Sequence, residues 1–131
     1  LAAAAFQVSP FLVGSARLDS ADAQANPDAM PATKEQIVTY SAMSLQTFCT
    51  ARSLDIDFKK SVSVALAAEA NFVALRHGFK VEGIAKPLTK QQLSSVISNQ
   101  LIVQAVNACP EYIPDDVKKE IEEFKKKNKR S

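Results

Sequence analysis

Apolar positions recur at intervals of three and four over four separate stretches of this chain, the spacing that gathers side chains on one face of an α-helix. The longest runs from Asp57 to Gly78, where Phe58, Val62, Ala65, Leu66, Phe72 and Val73 share a face that Val64, Ala68 and Leu75 widen beyond half the cylinder. A helix so apolar is expected at the centre of a bundle. Its ends are also written: Asp57 suits an N-cap, and Gly78 followed by Phe79 suits a Schellman stop.

The other helices follow from the same reading. Thr33 with Gln36 forms a capping box that opens a first helix to about Arg52, carrying the stripe Ile37, Tyr40, Ser44, Phe48 and Ala51 with Val38, Leu45 and Cys49 beside it. The link Ser53 to Ile56 is short, so the second helix should return antiparallel. Thr89 with Gln92 opens a third helix, stapled by Leu88 and Leu93 and lined by Val96, Ile97, Leu101, Val103 and Val106. Pro110 disfavours a helical Cys109, which closes this helix near Ala108. Pro114, Asp115 and Asp116 then start a last helix whose stripe is narrow, Val117, Ile121 and Phe124, so that it docks by one edge. Its end, Lys125 to Arg130, holds five positive charges in six residues and is expected to fray. Between these helices, Asn26 to Ala32 reads as an irregular lead-in and Phe79 to Pro87 as an extended crossover. The predicted class is all-α, a small four-helix mature domain.

Ahead of that domain, residues 1–25 have the look of a secretory signal peptide without its beginning. An Ala-rich apolar run to Val13 is followed by a small, polar stretch from Ser15 to Ala25. Cleavage is expected after Ala25, with Ala16 the alternative, leaving residues 26–131 as a single helical domain and 125–131 as its basic tail. An exported chain meets an oxidising compartment, and only two cysteines remain in the mature part, so Cys49 and Cys109 are expected to be joined. Closing a loop of this length would stabilise the fold by about 4 kcal/mol on the chain-entropy model. Periplasmic or secreted localisation follows as an expectation.

Composition narrows the chemistry. With 47% hydrophobic and 23% charged residues over 131, the chain has an ordinary globular balance, and its net charge of +2 is too mild to suggest a nucleic-acid partner. Three glycines, at 14, 78 and 83, cannot write a phosphate loop, a dinucleotide fingerprint or a nucleophile elbow. His77 is the only histidine, which excludes multi-histidine metal centres, and its place in the last turn of the second helix suits a structural role at the dipole's negative end. Asp55 and Asp57 lack the spacing of a calcium loop and read as capping residues. No cofactor is expected, and no catalytic or metal-binding residue is assigned.

Two polar features remain. Glu69 and Arg76 interrupt the second helix's apolar face two turns apart, near enough to share Gln100 or Gln104 as a partner in an internal network or a polar ligand site. Lys125, Lys126, Lys127, Lys129 and Arg130 complement the last helix's dipole and keep the chain soluble, or else touch anionic lipid headgroups or cell-wall polymers.

An export segment, Cys49 on an early helix paired with Cys109 at the end of a later one, and Cys109-Pro110 leading into the Lys/Glu-rich helix Val117 to Lys127 form a layout that resembles the HdeA-type small periplasmic proteins. That resemblance implies a disulfide-held helical domain, compatible with a dimer, which covers and exposes apolar surface as an acid-stress chaperone. It assigns no site residue. The expected function is therefore non-enzymatic: binding of a protein client or small ligand, or chaperone-like action, through apolar surface between helices. Two alternatives stand beside it, a surface-binding accessory using the basic tail, with membrane contact only peripheral, and a small enzyme built on Glu69, Arg76 and His77.

Overall fold

The computed structural model describes residues 27–130, so the expected signal segment and its cleavage points lie outside the described residues. Four α-helices follow in order: α1 (Lys34–Ser53), α2 (Phe58–His77), α3 (Lys90–Ala108) and α4 (Asp115–Arg130), with a 3-10 turn at Pro110–Tyr112 before α4. Among the described residues there is no strand beyond one isolated bridge, Ala32 with Val81.

The termini of these helices are set by local chemistry. Thr33 and Thr89 accept from the backbone N–H of Gln36 and Gln92, and each glutamine side chain accepts the cap's own N–H, so two orphan donors are satisfied at each start. Asp57 accepts from the Lys60 N–H at 2.9 Å. Gly78 ends α2 at φ 57°, its own N–H on the Ala74 carbonyl, which is the single bond of an αL stop in place of the expected Schellman pair, and the Phe79 N–H reaches back to the Val73 carbonyl. At the end of α1 the left-handed position is Asp55, φ 61°, a residue type that tolerates this region without being glycine.

Helices α1, α2 and α3 pack pairwise into a three-helix unit. The core falls into two apolar clusters. One surrounds the disulfide end, with Phe48, Ala65, Leu101, Ala105, Cys109 and Ile113, and Phe48 meets Phe58 edge to face. The other fills the opposite end with Tyr40, Ala70, Val73, Leu93 and Ile97. Cys49 and Cys109 are joined, their Cα atoms 6.2 Å apart, tying α1 to the end of α3. Arg52 fastens the same corner, donating to the Tyr112 and Ile56 carbonyls at 2.9 Å each.

Three expectations need adjusting. The deepest line of α2 is Ser61, Ala65, Glu69, Val73 and His77, one residue every four, whereas Leu75 is 56% exposed and Val38 of α1 is 68% exposed. A helix in a three-helix unit meets two neighbours and leaves a third of its circumference to water, so an apolar face wider than half the cylinder is not all used. The lead-in is irregular as expected, yet it is pinned. Ala32 is buried and exchanges hydrogen bonds with residues 80 and 82, and the Lys80 ammonium reaches the carbonyls of Pro27 and Ala29. The basic tail does not fray before Arg130, because its lysines are strong helix formers and complement the dipole at that end.

Helix α4 stands apart from this unit. It buries no residue, and only Val117 packs against the core.

Candidate functional site

Between the two apolar clusters, the contact of α1 with α2 is polar. Ser44 donates to the Ala65 carbonyl at 2.9 Å, and both residues are fully buried. A side chain as short as serine reaches a neighbouring helix's backbone only where the two helices lie close together. One turn along, Ser41 donates to Glu69 Oε1 at 2.9 Å. Glu69 is 4% exposed, and burial pushes its carboxyl above the ordinary glutamate range, while the hydroxyls of Ser41 and Ser44 pull less strongly the other way. No cation contributes to that balance.

The polar line continues to the end of α2. His77 Nδ1 lies 2.8 Å from the Met30 carbonyl and Nε2 lies 2.9 Å from the Tyr40 hydroxyl. A carbonyl only accepts, so Nδ1 carries the proton, and in the neutral ring Nε2 accepts from Tyr40. Tyr40 is itself stacked on Phe72, ring centroids 4.9 Å apart. The imidazole thus fastens the lead-in and α1 to α2 at once.

The sequence-derived candidates are largely not brought together. Arg76 is exposed, Gln100 is exposed and Gln104 is half-buried, while Glu69 is turned into the α1 contact and bonded to Ser41. The network Glu69–Arg76–Gln100–Gln104 is replaced by Glu69–Ser41–Ser44, because the inward line of α2 steps by four residues and so advances about 40° each time, whereas Arg76, seven residues on, falls about 20° behind Glu69 and off that line. Glu69 and His77 hold separate partners on α1, and Arg76 faces solvent beside them. Sequence reasoning missed Ser41, Tyr40 as the partner of His77, and the role of the lead-in. A signal for the first existed: two serines three residues apart on the inward side of a helix face whatever polar group the neighbouring helix buries. Asp55 and Asp57 serve the turn and the cap, as expected. The Lys60 N–H donated to Asp57 holds its carboxyl below the usual range. Among the described residues no group of three or more histidine, cysteine or acidic side chains could hold a metal ion.

The remaining candidate is α4. Val117, Ile121 and Phe124 form its stripe, and from Val117, which packs on the core, exposure increases until Phe124 is 57% exposed. Lys125, Lys126, Lys127, Lys129 and Arg130 are all exposed and lie beyond it. No helix among the described residues is long and apolar enough to cross a membrane.

A disulfide-tied three-helix unit with a buried carboxylate layer and an outlying amphipathic helix defines a class, the small disulfide-bonded all-α proteins. Within it, residues 35–131 match the family described as "Domain of unknown function (DUF8650)", and the chain belongs to that family. No curated protein and no solved structure matches it.

Proposed function

We propose that this is a non-enzymatic extracytoplasmic contact protein, held rigid by its disulfide and acting through α4. The observation that carries this reading is the exposure of Phe124, with Ile121 half-buried beside it, on a helix that has no buried residue of its own. The three packed helices turn their apolar ridges toward one another, so a client site between them would require the unit to open. An apolar side chain already facing water, as Phe124 does, requires no such step. Chemistry built on Glu69, Arg76 and His77 would need their polar atoms to converge on one substrate. Glu69 and His77 are instead occupied within the α1 contact. The disulfide supports residence in the periplasm or outside the cell, where such bonds persist.

The test is photo-crosslinking in the producing cell. With benzoylphenylalanine placed at position 124 or 121, adducts are expected that a probe at Val38, more exposed than either but on α1, does not give. Equal labelling from both helices, or none from α4, would sink the reading.

A further inference from the structure

Resting on the α4 reading, the surface that this helix meets can be named from its charge order. Residues 115–123 carry Asp115, Asp116, Glu120, Glu122 and Glu123 against Lys118 and Lys119, whereas 124–130 carry Lys125, Lys126, Lys127, Lys129 and Arg130 and no acid. The reversal falls at Phe124. The acidic half adjoins the disulfide corner, where Val117 packs, and the basic half is the end remote from it.

Successive side chains on a helix are set 100° apart, so Val117, Ile121 and Phe124 fall on one line and the five cations of the last turns fan around the rest of the cylinder. Phe124 is therefore an apolar wedge with ammonium and guanidinium groups to both sides and behind. Lysine and arginine stems can lie along an apolar surface while their charges stay in water. We propose that the outer half of α4, Ile121 and Phe124 with Lys125 to Arg130, seats on an anionic lipid bilayer surface, the two apolar side chains entering the headgroup boundary and the cations meeting lipid phosphates.

The stripe is poorly suited to the other simple occupant, a second copy of the chain. A stable protein interface takes roughly 800 Å² from each partner, and α4 offers only the exposed Phe124 and the half-buried Ile121 as apolar groups beyond Val117. An anionic plane needs less apolar area, because each basic residue near it adds attraction within a Debye length. The separation of charge along α4 also gives the approach a direction, basic end first.

Vesicle co-sedimentation decides it, with the oxidised full chain, phosphatidylcholine vesicles, and vesicles of the same lipid containing a third phosphatidylglycerol. Sedimentation with the anionic vesicles only is expected, falling roughly tenfold between 50 and 500 mM salt. The variants F124S and K125Q/K126Q/K127Q should each lower it several-fold while leaving the far-UV circular dichroism and the melting temperature unchanged. Equal binding to both vesicle types, or none to either, overturns the lipid assignment. So does a concentration-dependent dimer in sedimentation velocity that F124S abolishes, although that result would leave α4 as the contact element, and crosslinks from position 124 would still be seen.

Discussion

Glu69 is the residue whose environment contradicts its type. It is a carboxylate in a helix contact, with serine hydroxyls for donors and no cation. α3 has no ionisable residue after Lys90, so nothing on that side offers one either. Because its folded pKa is raised, the stability it contributes is complete below the unfolded value near 4.5 and is lost as pH rises through the folded value. Glu69→Gln keeps an acceptor for Ser41 and removes the charge. It is expected to raise the melting temperature at pH 7, by roughly 4–8 °C if the gain is about 1 kcal/mol, with the two curves meeting near pH 4. Thermal melts across that range check it, and a lower melting temperature for the glutamine variant at pH 7 would refute it. At Glu69, protonation therefore tightens the fold and does not loosen it. Asp57 has the opposite sign, its capping contribution being lost as pH falls through its depressed folded value, but it sits at the surface.

Ser44 makes a second point at the same scale. In the sequence it is one member of an apolar stripe, and only the neighbouring backbone shows why it is small. Ser44→Ala should cost about 1 kcal/mol, the net worth of one hydrogen bond, while Ser44→Leu should cost about 1–3 kcal/mol more through overpacking. Urea denaturation of both variants measures the difference, and equal midpoints would mean that the helices are not closely apposed there.

At the scale of elements, capping residues and the stripes they bracket were legible in advance because they are local. A capping box spans four residues and a glycine αL stop five, so Thr33, Asp57, Gly78 and Thr89 carry their own instructions. The disulfide between Cys49 and Cys109 was legible for a different reason, since two cysteines allow only one intramolecular pairing. Changing both to serine, or reducing them, should remove up to about 4 kcal/mol of stability, read from denaturation with and without reductant. A loss confined to a few tenths would show that Arg52 and the packing of Phe48 already hold the corner. The end of α4 was misread as fraying because charge repulsion among its lysines was weighed above their helix propensity and the dipole at that terminus.

For the molecule as a whole, stability is not evenly spread. α1, α2 and α3 share both apolar clusters and the disulfide, while α4 hangs from Val117. Backbone amides of α4 beyond Glu120 should exchange with deuterium through local opening, orders of magnitude faster than those at the centre of α2, which need global unfolding. Mass-spectrometric exchange resolves this by peptide, and comparable protection in the two helices would mean that α4 is packed against something. The pinned lead-in makes the complementary expectation, since Ala32 and the Met30 carbonyl are tied to α2 and its following loop.

The sequence by itself determined the number of helices, the capped starts of the first three, the Gly78 stop, the single possible sulfur pairing and the absence of glycine-based phosphate motifs, because each depends on residues close together or on a count. Tertiary structure alone decided which part of each wide apolar face is buried, that Glu69 turns to Ser41 and away from Arg76, that His77 clamps Tyr40 and the lead-in, and that α4 is left outside. Those outcomes depend on how far the inward line of one helix drifts around its axis before it meets the next, and that is a property of two helices together.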